Sequence, residues 1–582
     1  AAGPGLAEAL ERLGVRRLRP GQDRAIAAAL AGRDALVVMA TGSGKSLCYQ
    51  APAAALRGLT VVVSPLIALM TDQLAGLERA GIPAAALHSG LSEDEARDAL
   101  EAARAGRLRL LYVAPERFGS AAFGRAMAAA TVSLLVIDEA HCVSEWGHEF
   151  RPDYRRVGRF REALRPRATM ALTATATERV RADVARRLGL RDPVGVVGGF
   201  DRPNLTFDAL WVEGKGSVAR KRGVLMAALA SADGGKAIVY CGTRRATEET
   251  AAALTAAGHS AVAYHAGRAD RAEAQEAFTS GRARVVAATN AFGMGVNVPD
   301  VRLVVHTALP DSLEQLYQEA GRAGRDGEPS RHVIVAGPAD EVAIRRRITR
   351  ARLEPGQVDR LLARLASRAD PEGRWRMDRS EVDDDAGFVL AMAERVGALQ
   401  VEAAPGGGRA GRLQGGRLTP EQREDLAGQV QAELHRRHRA LDAAVAYVRG
   451  DACRRRVFLH HFDDPSEPVP EERCCDVCEP PGDLDVAAPV AAPARARPDE
   501  PPLDVDERRT FEALQAWRGA LAKELGWPAF RVASNRTLEG IARRAPRDAR
   551  ALESVRGVGP WLMEGHAVDI LEVVAAAGEG AP

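Results

Sequence analysis

The chain reads as an α/β protein: two parallel-sheet domains in series, then a helical module carrying a cysteine cluster, then a compact all-α segment. Three observations carry this reading. From Asp34 to about Ala336, apolar β-type runs ("ALVVM", "TVVVS", "LRLLYV", "SLLVID", "KAIVYC", "RVVAAT", "RLVVH", "HVIVA") alternate with helix-like stretches rich in Ala, Arg and Glu. Uninterrupted apolar runs between helices are what strands buried on both faces of a parallel sheet require. There are too many runs for one sheet, and "GGFDRPN" at 198–204 marks a seam between two. Beyond residue 340 the pattern turns helical, and four of the seven cysteines crowd into 453–478.

The chain divides accordingly at 1–200, 201–340, 341–450, 451–480, 481–506 and 507–582. At 582 residues it has length for several domains of roughly 100–200 residues each. Hydrophobic content of 46% and charged content of 27% are ordinary for a globular protein. With 80 Lys+Arg against 78 Asp+Glu, any surface for nucleic acid must be locally basic. No stretch approaches the ~20 apolar residues of a membrane span, and "AAGPGLAEALERLG" has no signal-peptide pattern, so no membrane partner is expected.

In the first domain, "ALVVMATGSGKSLCYQ" (35–50) is a strand, a Gly-rich turn and a helix start. Thr41, Gly42, Ser43, Gly44, Lys45 and Ser46 match a phosphate-binding loop, although Met39 stands where the strict pattern has its first Gly. Backbone N–H groups there approach phosphate, Lys45 reaches the β/γ-phosphates and Ser46 ligates Mg²⁺. Asp138, ending the strand "SLLVI", is a second magnesium carboxylate. Glu139 is placed to orient an attacking water as general base, and His141 completes a D-E-A-H box. In the second domain, "QEAGRAGRDG" (318–327) sets Arg322 and Arg325 three apart, on one face if helical. Across a cleft from Lys45 they would stabilise charge on the transferring phosphoryl; the alternative is pairing with Asp326 or Glu319.

Together these residues resemble the DEAH-box RecQ branch of superfamily 2 helicases. "LRPGQDRAI", "MATGSGKSLCYQ", "VVVSPLIALMTDQL", "LYVAPERF", "DEAHCVSEWGHEFRPDY" and "ALTATAT" match the first-domain motifs in order. "FDRPNL", "IVYCGTR", "AYHAG", "ATNAFGMGVNVPDVRLVVH" and "QLYQEAGRAGRDG" match the second. The resemblance implies two RecA-like domains forming an ATPase motor that translocates 3′-to-5′ on single-stranded DNA and unwinds tailed or forked duplex in repair and recombination. It implies a cytoplasmic, bacterial-type, nucleoid-associated setting. It makes the stretch after the DEAH box a DNA-sensing loop, with Trp146, His148, Phe150 and Arg151 as contacts. An aromatic face there stacks on any base. It assigns Arg19 and Gln22 to adenine. Here Val15, Leu13 and Leu18 stand where the family has aromatics, so base selectivity leans on those two polar residues.

Cys453, Cys474, Cys475 and Cys478 have the chemistry of a closed tetrahedral Cys₄ zinc site, with His460 or His461 as alternatives to one thiolate. The resemblance supports zinc, since RecQ proteins carry a zinc subdomain beginning "CRR". The order departs from the family, because about 130 residues separate Arg325 from Cys453. Within 356–420, two helices and a β-wing would make a relocated winged helix; a helical spacer is the alternative. The basic run 435–456 is either a phosphate track or a solvated helix face. "EPPGDLDVAAPVAAPARARPDEPP" (479–502) reads as a flexible linker. The last segment resembles the helicase-and-RNase-D C-terminal (HRDC) domain, which implies weak single-strand binding or protein contacts. Against the helicase stand an RNA-directed DEAH-type ATPase and an ATP-gated DNA clamp or remodeller without processive unwinding.

Overall fold

The computed structural model describes residues 4–578 apart from 41, 66, 89, 120, 145–153, 233, 294–297, 383, 405–407, 485–502, 526–528 and 556. The chain forms two units, 1–490 and 491–582.

The first unit contains two parallel sheets. The first comprises β1 Ala35–Met39, β2 Leu59–Val63, β3 Ala84–Leu87, β4 Leu110–Val113, β5 Val132–Ile137, β6 Ala168–Thr173 and β7 Val194–Gly198. Their order is β3-β4-β2-β5-β6-β1-β7. The central strands are buried at every position, as their unbroken apolar sequences require. The second sheet comprises β8 Leu205–Trp211, β9 Lys236–Tyr240, β10 Ala261–Tyr264, β11 Val285–Ala288, β12 Val301–His306 and β13 Ser330–Ala336. Its order is β10-β11-β9-β12-β13-β8. Residues 199–204 join the two sheets, inside the seam read from sequence.

β8 is an edge strand, and the cysteine-rich segment covers it. Phe207 N–H donates to the Cys474 carbonyl (3.3 Å) and Asp476 N–H to the Phe207 carbonyl (3.3 Å). The Thr206 hydroxyl donates to the Arg473 carbonyl (2.9 Å). Arg473 and Arg331 both pair with the fully buried Asp208.

Helix Pro338–Arg350 leaves the second sheet and packs against helix Pro420–Arg449, which Thr419 caps by accepting from Gln422 N–H (3.2 Å). Residues 351–419 are inserted between these helices and have a core of their own around Leu361, Leu362, Trp375, Leu390 and Leu399. The order is helix Pro355–Ala366, β14 Arg374–Met377, helix Asp384–Arg395, β15 Leu399–Ala403 and β16 Arg409–Leu413, with the strands antiparallel in the order β14-β16-β15. The expected two helices and wing are accompanied by a third strand, β14, whose exposed–buried alternation is that of a half-buried edge. A purely helical spacer is excluded. β15 lies against residues 115–119 of the first domain.

The basic run 435–456 is not one solvated patch. Arg454 and Arg455 are only 3% and 2% exposed. The linker also begins later than its composition suggests: Leu484 is buried and Asp483 pairs with Arg331 (2.6 Å), so the chain stays docked through 484.

The second unit is all-α, with helices Val505–Glu524, Ala529–Val532, Asn535–Arg544, Ala549–Glu553 and Pro560–Gly578 around Leu514, Leu538, Ile541, Leu552 and Ile570. Trp517 packs against this core and Trp561 is 41% exposed, while Trp527 lies outside the described residues. Gly557 has φ +99°, and a Cβ there would meet the Thr537 hydroxyl at 2.4 Å, so this turn requires glycine.

Candidate functional site

The phosphate-binding loop leaves the C-terminal end of β1 and enters helix Leu47–Ala55 through Ser46. Gly42 and Gly44 both have φ +83°, conformations that a side chain resists. The Lys45 ammonium donates to the Met39 carbonyl (3.0 Å), folding back over the loop. Gln22 is buried and its amide donates to the carbonyls of Ser43 (3.1 Å) and Gly44 (3.0 Å). Arg19 donates from its guanidinium to the Gly42 carbonyl (2.6 Å), and its N–H to Gln22 Oε1 (2.8 Å). Both residues expected at the base therefore also brace the loop. A cavity of about 530 Å³ adjoins them, lined among others by Arg19, Pro20, Ser43, Val196 and Arg202, with no aromatic side chain among the described residues of its wall. Thr41 lies outside the described residues.

Asp138 ends β5, its N–H donating to the Val63 carbonyl at the end of β2 (2.9 Å). Glu139 turns the chain through φ 48°, a left-handed conformation costly for a non-glycine residue, and so enters the short helix Ala140–Val143. Burial raises the Asp138 pKa, neighbouring Glu139 raises it further, and Lys45 opposes both. Burial lowers the Lys45 pKa, against the attraction of Glu139 and Asp138. Two carboxylates and an ammonium thus meet beside a helix N-terminus. That donor set suits a triphosphate with a divalent cation, because the cation would relieve the carboxylate repulsion.

His141 is 2% exposed. Its Nδ1 lies 2.9 Å from the Thr173 hydroxyl and 3.4 Å from Glu139 Oε2. The same hydroxyl accepts from Thr175 N–H (3.3 Å) and donates to the Thr175 carbonyl (3.1 Å), which fills its one donor and two acceptor positions. Thr175 Oγ1 in turn accepts from the Gln318 amide of the second domain (3.0 Å). A continuous chain of polar contacts therefore runs from the second domain to Glu139. Sequence reasoning missed its middle members, Thr173 and Thr175, although "ALTATAT" was among the matched motifs.

Arg322 and Arg325 are not on a helix. Helix Leu313–Ala320 ends at Gly321, and Gly324 (φ +58°) and Gly327 (φ +93°) carry the chain through consecutive turns. The two arginines make different contacts. Arg325 packs on the phosphate loop, its Cγ 3.3 Å from where a Gly42 Cβ would stand. Arg322 donates to the Gly293 carbonyl within its own domain. Glu319 and Asp326, their alternative partners, are engaged by His306 (2.7 Å) and by Arg302. Trp146, His148, Phe150 and Arg151 lie outside the described residues.

The thiol sulfurs of Cys453, Cys474, Cys475 and Cys478 all lie within 4.8 Å of one another. Cys453 is 3.6 Å from Cys474 and 4.0 Å from Cys475. A tetrahedron with Zn–S bonds of about 2.3 Å has edges of about 3.8 Å, so the four residues fit a zinc ion. His461 instead pairs with Glu314 (2.9 Å), and neither it nor His460 is among the described residues that gather here. Cys48, Cys142 and Cys241 are buried away from this cluster.

The DEAD/DEAH box helicase family matches residues 19–184, the helicase conserved C-terminal domain 220–327, the RecQ zinc-binding family 420–479 and the HRDC domain 507–574. The ATP-dependent DNA helicase RecQ of Pasteurella multocida is 44% identical over 329 residues, 56% of this chain and 51% of that protein. The chain thus spans about half the length of that relative. The ATP-dependent DNA helicase RecQ of Bacillus subtilis is 33% identical over 582 residues, 94% of each chain. The probable ATP-dependent DNA helicase RecS of the same organism is 35% identical over 475 residues, 80% of this chain and 90% of that protein. On these motifs, this cleft, the four-cysteine cluster and near full-length similarity, the chain belongs to the RecQ family of ATP-dependent DNA helicases.

Proposed function

We propose that the chain couples ATP hydrolysis to 3′-to-5′ translocation on single-stranded DNA and to separation of tailed or forked duplex, in DNA repair or recombination. The observation that carries this reading is Arg325 of the second domain seated against Gly42 of the phosphate loop. Hydrolysis then depends on closure of the cleft between the domains, and movement follows from its cycling.

Gly42, Ser43 and Gly44, with Thr41, present backbone N–H groups to the phosphates, and Lys45 exchanges the Met39 carbonyl for a phosphate oxygen. Ser46 and Asp138 would hold Mg²⁺, which when bound neutralises charge on the β- and γ-phosphates. Glu139 accepts the proton of the attacking water, and His141 orients Glu139 through the contact at 3.4 Å. Arg325 stabilises charge on the transferring phosphoryl, a role worth on the order of 10³–10⁵ in rate. Arg322 fixes the turn against Gly293. Arg19 and Gln22 contact the base, without aromatic stacking from the cavity wall.

Trp146, His148, Phe150 and Arg151 bind the DNA strand. In sequence Trp146 lies two residues after Ser144 and seven after Glu139, so strand occupancy bears on Glu139 and His141. The zinc site is closed and structural, and the HRDC unit adds weak single-strand or protein contacts. Strand displacement on 3′-tailed and 5′-tailed duplexes with Mg-ATP tests the reading, with Lys45→Ala as blank. Displacement of the 3′-tailed substrate alone, lost in the variant, is expected. ATP consumption without displacement would favour the clamp or remodeller.

A further inference from the structure

We propose that Arg455, in the helix after the first zinc-site cysteine, is a positioning residue for ATP hydrolysis that acts through the segment 201–205 on the turn carrying Arg325. This rests on the reading that Arg325 serves the transferring phosphoryl.

Arg455 is 2% exposed, yet its guanidinium reaches one carboxylate and three carbonyls of that segment. Nη1 donates to Asp201 Oδ1 (2.6 Å) and to the Arg202 carbonyl (2.8 Å). Nη2 donates to the Pro203 carbonyl (3.0 Å) and to the Leu205 carbonyl. The guanidinium carbon also stands 5.5 Å from the centre of the Phe207 ring. Residues 201–204 have no ladder of their own, so this fork substitutes for one.

The side chains of the same segment point at the arginine turn. Arg202 donates to the carbonyls of Gly321 (3.2 Å), Ala323 (3.1 Å) and Gly324 (2.9 Å). Asn204 donates to the carbonyls of Gly324 (2.9 Å) and Glu328 (2.9 Å). These carbonyls lie at and just past the C-terminal end of helix Leu313–Ala320, where a cation is favoured. A Cβ on Gly324 would lie 2.3 Å from Asn204 Nδ2, so segment and turn are in close contact. Arg325 is the next residue. Arg202 and Asn204 themselves line the nucleotide cavity, whereas Arg455 does not, so an effect of Arg455 on turnover must be transmitted. A displacement of about 1 Å at the reacting groups can cost about 10²-fold in rate.

The test measures kcat and KM for ATP under saturating single-stranded DNA for Arg455→Met, Asn204→Ala, Arg325→Ala and the double variants, with single-turnover assays where rates are low. Zinc content and unfolding midpoint are recorded for each. Expected is a drop in kcat of about 10²-fold for Arg455→Met, with little change in KM, and no further drop in the Arg325→Ala background. Equal fold losses in both backgrounds would show that Arg455 does not act through Arg325 and would overturn the proposal. So would an unchanged kcat. If Arg455→Met does not fold, Asn204→Ala decides in the Arg325→Ala background, where a loss through the cavity wall that Asn204 also lines would persist and a loss through the arginine turn would not. It should show a smaller loss that also vanishes with Arg325→Ala, and a wild-type kcat there overturns the relay. Full activity of Arg325→Ala alone would instead remove the reading on which the relay rests.

Discussion

Thr173→Val isolates one hydroxyl in the path between the domains. Valine matches threonine in shape, so no cavity forms and the change is one of hydrogen bonding alone. The hydroxyl holds His141 Nδ1 at 2.9 Å and closes the turn at Thr175 through contacts of 3.3 and 3.1 Å, at a site with no solvent access. Its loss strands the Thr175 N–H and weakens the seat of His141. A buried donor left without its partner costs about 1–3 kcal/mol, so the two together amount to about 2–6 kcal/mol. The lower end applies, because His141 Nδ1 retains Glu139 at 3.4 Å. Since each 1.4 kcal/mol is a factor of ten, about 2 kcal/mol makes the Thr175 amide exchange about 30-fold faster in the variant. Hydrogen exchange resolved at that amide is the assay, paired with ATPase measured with and without single-stranded DNA. Basal hydrolysis should fall and DNA stimulation should weaken further, because Gln318 then docks on a loosened Thr175. Unchanged exchange at Thr175 together with undiminished stimulation would refute the reasoning.

Other outcomes follow from the same geometry. Trp146→Ala should leave basal ATPase largely intact and abolish its stimulation by single-stranded DNA, as titration with oligonucleotide would show. Cys475→Ser, or stripping zinc with a chelator, should lower the unfolding midpoint and speed amide exchange at Phe207 and Asp476 before nucleotide binding changes; equal exchange with zinc shown to be absent would remove the structural role. The Arg331 guanidinium holds the Asp483 carboxyl below the usual carboxylate range. That contribution is complete above an ordinary carboxylate pKa of about 4 and is lost as pH falls through the lowered value. Residues 482–484 should therefore release from the second domain on acidification, seen as faster exchange at Leu484, and Asp483→Asn should abolish the pH dependence.

Much of this was legible in the sequence because burial on both faces writes itself as unbroken apolar runs: "ALVVM", "SLLVI" and "RLVVH" are β1, β5 and β12. The four cysteines were legible because metal chemistry tolerates few other residues. Strand order was not, since it is fixed by crossover packing between distant segments. The buried arginines were hidden for another reason. In "CRRR" a cation that forks onto Asp201 and Pro203 looks the same as one that meets solvent, and its partners lie about 250 residues away in sequence. The arginine pair of "GRAGRDG" would share a face on a helix, but the three glycines outweigh that spacing once Gly324 turns left-handed. β14 was missed because "RWRM" is short and its buried partner, Trp375, finds its core only in the folded insertion.

The covering of β8 has a consequence in time. Thr206 and the Arg473 that covers it are 267 residues apart. At about 5–20 residues per second, a ribosome needs roughly 10–50 s to supply the covering segment. For the later part of that interval, once β13 has emerged and the second sheet has formed, the nascent chain exposes the outer edge of a strand bearing Leu205, Phe207 and Leu210, the kind of edge on which another chain can add a strand. Zinc capture by the four cysteines is thus the late step that retires the edge. Cells short of zinc should accumulate this protein as aggregate rather than as a soluble, merely weakened enzyme.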